Sequence, residues 1–174
     1  MMGVNRKNMT PKEFVKKYKP FALETERKTE ISHLFILAQS ALETGWGKRA
    51  PGNMMFGVKA SVSTPTEKRQ LVQTTEILAT DKAKFPVIIS IEKRPDGNFK
   101  YTVKDWFRKY DSPEESFTDH ANLFVNNKRY AKALLVRSDP YKFAEEVAMA
   151  GYATEPTYAE RLKGVIRTIE KNDK

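Results

Sequence analysis

The sequence predicts an α+β fold, mainly helical, with a small antiparallel β lobe across a groove. Three observations carry this. Both ends of the chain show apolar residues at three- and four-residue spacing, opened by capping signals. The middle, over about residues 57–104, changes to β-branched runs separated by turn residues. At 174 residues the chain has the length of one domain that can bury a proper core.

In order, residues 1–9 read as a flexible leader and 10–172 as one domain. Thr10-Pro11-Lys12-Glu13 opens the first helix with a capping threonine, a first-turn proline and a glutamate placed to close a capping box. Phe14, Val15, Tyr18 and Phe21 form its apolar stripe. A second helix is expected over 29–44, apolar almost all round through Ile31, Leu34, Phe35, Ile36, Leu37, Ala38, Ala41 and Leu42, and stopped by Gly45. Strands are expected at Leu71 to Leu78 and Val87 to Ile91, then a turn at Pro95-Asp96-Gly97 and a returning strand from Asn98 to Val103. Helices resume after Tyr110. Ser112-Pro113 opens one over about 113–126, another follows near 128–136, Asp139-Pro140 opens a third that Gly151 closes, and 156–172 is the last.

Composition narrows the chemistry. There is no cysteine, which excludes disulfides, thiolate metal sites and cysteine nucleophiles. The two histidines, His33 and His120, stand far apart, which argues against a zinc site, and no cofactor is implied. His33 suits a helix surface or core better than catalysis. A net charge of +9 draws the chain to polyanions, but its basic residues are scattered, which argues against nucleic acid as the partner. No secretory signal is visible at the start, and no apolar run reaches the ~20 residues of a membrane span. The chain is either part of a longer exported protein or leaves the cell by another route.

Glu43 is the residue with the clearest chemical promise. It ends an apolar helix, where desolvation raises a carboxyl pKa and the helix dipole opposes its ionised form. That is what a proton donor for glycoside cleavage requires. An exposed glutamate on a last helical turn is the plainer alternative. Trp46, between Gly45 and Gly47, offers a face for a sugar or a core ring. Glu76 is the natural second carboxylate, sharing a strand face with Val72, Thr74 and Leu78, and it either lines a groove or faces solvent.

Four ordered blocks add a resemblance. The stretch from Leu37 to Lys59 (LAQSALETGWGKRA, then NMMFGVK), Thr74-Thr75-Glu76, Phe107 to Ser112 with Glu115-Ser116, and Gly151-Tyr152-Ala153-Thr154-Glu155-Pro156-Thr157-Tyr158-Ala159 resemble the glucosaminidase family of peptidoglycan hydrolases. That family includes a flagellar rod-cap domain and many autolysins, and the resemblance covers about residues 11–170. It implies a lysozyme-like fold cleaving the β-1,4 bond after N-acetylglucosamine. On this resemblance Glu43 is the general acid and Glu76 the base or second carboxylate. Tyr152 is a tyrosine needed for activity, and Asn53, Phe56, Thr75, Tyr130 and Trp46 bind substrate. Three departures stand out. Only Asn53 precedes Met54-Met55, Glu155 replaces a customary aspartate, and 81–104 is long.

The implied partner is the peptidoglycan glycan strand, met by a monomer without nucleic acid or membrane insertion. The implied place of action is the cell wall, whether periplasmic, extracellular or phage-delivered. Two rival readings use the same residues: a muramidase or lytic transglycosylase on a similar fold, and a non-catalytic wall-binding module.

Overall fold

The computed structural model describes residues 8–174, and of the expected leader over 1–9 residues 1–7 lie outside the described residues. The fold is α+β, with six α-helices among the described residues and one three-stranded antiparallel sheet. The chain divides into two compact units, one of residues up to 56 with 111–174, the other Gly57–Tyr110.

The first unit is helical. Helix α1, Pro11–Thr29, opens with the capping box: Glu13 N–H donates to Thr10 Oγ1 at 3.1 Å, and Thr10 N–H to Glu13 Oε2 at 3.4 Å. Phe14, Val15, Tyr18 and Ala22 are its buried side, with Phe21 half-buried. It ends at Glu30, in the left-handed region at φ 62°, so α2 begins later than expected, at His33–Thr44 with Ser32 as its cap. His33 straps this junction, its ring nitrogens lying 2.7 Å from Glu26 and 3.0 Å from Asp173.

Helix α2 has almost no wet side, because Phe35 through Ala41 are all buried. It packs against α1, α5 and α6. The remaining helices are α3 (Pro113–Asn126), α4 (Ala131–Leu134), α5 (Pro140–Met149) and α6 (Tyr158–Lys171). The helix expected near 128–136 is a 3-10 turn, Lys128–Tyr130, running into the short α4. Ser112 and Asp139 cap α3 and α5 as their sequence contexts predict. The core is aromatic: Phe35 meets Phe143 edge-on at 4.6 Å between centroids and Phe124 at 5.9 Å. Leu162, Ile166 and Ile169 bury the inner side of α6.

The second unit holds β1 (Arg69–Leu78), β2 (Val87–Lys93) and β3 (Phe99–Arg108), in spatial order β1-β3-β2. The turn between β2 and β3 falls where Pro95-Asp96-Gly97 predicts it, with Asn98 N–H donating to Asp96 Oδ1 at 2.9 Å. β3 runs five residues past the expected Val103, because Trp106 and Phe107 pair with Leu71 and Gln70. Register slips at Ile89, where a bulge interrupts the pairing of edge strand β2 with β3. Tyr101 is fully buried, donates its hydroxyl proton to Thr80 O at 2.6 Å and packs beside Phe85. The long β1–β2 connection is thereby folded onto the sheet.

Candidate active site

Glu43 occupies the last turn of α2, beside carbonyl groups that complete no helical bond of their own. Gly45 ends the helix with its N–H bonded to Ala41 O. The turn that follows keeps Trp46 and Gly47 at positive φ, 57° and 81°. Thr44 fixes this turn: its hydroxyl donates to Ser40 O at 2.7 Å and accepts from Gly47 N–H at 2.8 Å. A side chain at 47 is strained by φ alone, and its Cβ would stand 2.5 Å from the Met9 methyl. Gly47→Ala is expected to destabilise the chain by about 1–2 kcal/mol, read as a fall in thermal midpoint of roughly 3–6 °C.

The depression that Glu43 enters is also lined by Leu42, Tyr152, Ala153, Thr154, Glu155, Tyr158 and Arg161, with a volume of about 610 Å3. That is room for a sugar-sized ligand. Glu43 is exposed by surface area at the mouth of this depression, yet the protein crowded around its carboxyl displaces enough water to push it above the ordinary carboxylate range. Both hold together, since a concave wall removes much of the surrounding water without closing the mouth. Glu155 and Arg161 pair at 2.7 Å on the rim.

Tyr152 arrives by a different route. Gly151, at φ 86°, turns the chain after α5, and the next ring enters among His120, Phe124 and Tyr158. Burial raises the Tyr152 hydroxyl pKa strongly, with Tyr158 and Glu43 adding to it. Tyr158 is pushed up to about 12, first by burial, with Glu43 reinforcing. Both phenols therefore keep their protons at any physiological pH and can serve as donors.

Behind them lies a buried polar network that the sequence did not announce. Gln39, one turn before Glu43 on α2, is fully buried. Its amide donates to Tyr158 Oη at 2.9 Å, and its carbonyl oxygen lies 2.8 Å from His120 Nε2. His120 stacks on Phe56, 3.7 Å between centroids at 15°, and Tyr152 Oη lies 3.4 Å from its Nε2. Burial pushes the imidazole down to about 3, so the ring is neutral.

The remaining expected site residues are distributed as follows. Phe56 and Tyr130 are buried, at 4% and 3% exposure, so neither ring offers a free stacking face. Phe56 backs His120, and Tyr130 packs edge-on to Phe124 at 5.0 Å. Trp46 is half-buried, edge-on to Phe14. Asn53, at φ 56°, lines a separate depression with Lys17, Tyr18 and Lys48. Glu76 and Thr75 belong to the second unit, where strand alternation points them to opposite faces of β1. One face of the sheet therefore cannot present both to one sugar. Glu76 Oε1 accepts from Lys59 Nζ at 2.7 Å, and the same ammonium reaches Asp105 at 2.8 Å. Burial opposes that charge, but the bonds to Asp105 and Glu76 outweigh it and raise the Lys59 pKa. Among the described residues no three His, Asp or Glu side chains converge as a metal site, and no helix is long and apolar enough to cross a membrane.

Comparison with known proteins agrees with this geometry. A family model described as glucosaminidase, mannosyl-glycoprotein endo-beta-N-acetylglucosaminidase, matches residues 19–171. A peptidoglycan hydrolase FlgJ of Vibrio parahaemolyticus is 33% identical over 167 residues, covering 92% of this chain and 48% of that protein. The exo-glucosaminidase LytG of Bacillus subtilis is 28% identical over 144 residues, covering 79% and 44%. Among solved structures, a C-terminally truncated glycoside hydrolase domain of Salmonella typhimurium FlgJ matches with TM-score 0.71 and 31% identity, over 93% of this chain and 99% of that one. The chain spans about half the length of the curated relatives it matches. Its helical unit with the carboxyl-and-tyrosine depression, its three-stranded sheet and the match across most of its length place the chain in the glucosaminidase family.

Proposed function

We propose that this chain is a peptidoglycan hydrolase that cleaves the β-1,4 bond after N-acetylglucosamine, with Glu43 as general acid. The observation that carries the reading is the Glu43 carboxyl, held above its ordinary range by burial in a depression shared with two protonated phenols, Tyr152 and Tyr158. Residues 10–172 work as a single catalytic domain, and the chain acts as a monomer on glycan strands of the cell wall. Its place of action is periplasmic, extracellular or phage-delivered.

The proton passes from Glu43 to the leaving glycosidic oxygen as the bond to the anomeric carbon breaks. The substrate's own N-acetyl oxygen then closes onto that carbon, and water, deprotonated by Glu43, opens the cyclic intermediate. This route is favoured over a two-carboxylate one because Glu76 is engaged by Lys59 and needs release before it can serve as a base. Asn53, Thr75 and Trp46 contact the strand, while Phe56 and Tyr130 act by supporting His120 and Phe124.

Mass spectrometry of fragments released from purified peptidoglycan tests the bond assignment. The expected fragments carry a reducing-end N-acetylglucosamine. Muramic-acid or anhydro-muramyl ends would instead support the muramidase or transglycosylase reading, and no release at all a binding module. Proton NMR of the first-formed anomer tests the route. Retention is expected, whereas inversion would restore Glu76 as the base.

A further inference from the structure

We propose that Gln39 and His120 are positioning residues that aim the hydroxyl proton of Tyr152 into the Glu43 depression, toward an oxygen atom of a bound N-acetyl sugar. The inference rests on the hydrolase reading above and adds to it the residues that hold the proton in place. It follows from counting hydrogens in the buried network. The Gln39 amide group donates to Tyr158 Oη at 2.9 Å. Its carbonyl oxygen, 2.8 Å from His120 Nε2, therefore needs its proton from the ring. A neutral imidazole carries one N–H, which places the hydrogen on Nε2 and leaves that nitrogen no lone pair to offer.

Tyr152 Oη sits 3.4 Å from the same Nε2 and so cannot donate to it. At best it shares the ring hydrogen as a distant second acceptor. The Tyr152 O–H finds no other acceptor among the described residues, and the cavity that its ring lines is where the proton is left to go. Tyr158 is placed alike: having accepted from Gln39, it keeps its own proton for the same space. Were the ring hydrogen on Nδ1 instead, Nε2 would be an acceptor and would draw the Tyr152 proton inward, away from any ligand. Phe56 stacked on one face of His120 and Phe124 against its edge keep the ring from rotating out of this arrangement.

Long-range proton–nitrogen NMR of the wild-type chain reads the tautomer directly. The Nε2–H form is expected from pH 5 to 8, and an Nδ1–H ring would overturn the proposal. Gln39→Met removes the carbonyl that selects the tautomer. It is expected to release the ring to a mixture of forms and to lower kcat on purified peptidoglycan about tenfold, with KM held within about twofold. A changed tautomer with unchanged kcat would also overturn the proposal. If the variant fails to fold, the wild-type spectrum alone decides where the hydrogen sits. A wild-type chain that leaves peptidoglycan intact counts against the hydrolase reading, and the spectrum still decides the inference drawn here.

Discussion

Glu43→Gln is expected to lower the rate of peptidoglycan cleavage by roughly 10²–10⁴-fold, the usual contribution of a positioned general acid. Glutamine keeps the shape and polarity of the side chain, so KM and the circular dichroism spectrum should stay as they are. Stability should rise slightly at neutral pH. A carboxyl whose pKa is raised by burial is one whose ionised form the folded state disfavours, and the amide removes that penalty. A turbidity assay on a cell-wall suspension reads the rate, and a thermal melt reads the fold. Near-normal clearing by the variant would remove Glu43 from the mechanism.

The second large effect is on stability in mild acid, and it comes from His120. Its pKa falls from 6.5 to about 3 on folding. Below 6.5 the unfolded chain takes up a proton that the folded ring refuses, so stability is complete above that value and drains away as pH drops toward 3. At 1.36 kcal/mol per unit the loss has a ceiling on the order of 5 kcal/mol, roughly two-fifths of it spent by pH 5. Glu43 works with the opposite sign: its raised pKa lets the folded state bind its proton first, so it adds stability as pH falls through its range. Asp173 and Glu114, whose pKa values are lowered in the fold, withdraw their contributions only nearer pH 4. Urea unfolding at pH 7.5, 6 and 5 separates these groups. The wild-type midpoint should decline across that range, the Glu43→Gln decline should be steeper, and His120→Gln should be nearly flat.

Much of the fold was legible because its signals are local. Thr10, Ser112 and Asp139 declare helix starts by chemistry confined to one turn, and Pro95-Asp96-Gly97 declares a hairpin in the same way. The position of the break between α1 and α2 was not legible, because Glu30 takes a left-handed conformation without the glycine or asparagine that usually marks one. Ile31 also continued the apolar period across the gap. The end of β3 was missed because Trp106 and Phe107 earn their strand geometry only from partners on β1. That Glu43 and Tyr152 line one depression follows signals present in the sequence, for Glu43 its setting on an apolar helix and for Tyr152 its motif. Gln39 could not be picked out, since its meaning depends on a histidine 81 positions away. A polar side chain within a stretch as apolar as Ile36 to Ala41 was the one available hint. Phe56 and Tyr130 were read as ligand contacts on the family resemblance, and burial gives them different company.

The bulge at Ile89 has a bearing on how the protein survives its own concentration. Strand β2 lies at the rim of its sheet with Val87, Ile88, Ile89 and Ile91 each 40–51% exposed, a greasy ribbon with backbone groups to spare. Left in step, such ribbons from neighbouring molecules would zip into ever-longer stacks. One surplus residue throws the ribbon out of phase, so that a flat copy of itself finds no continuous match.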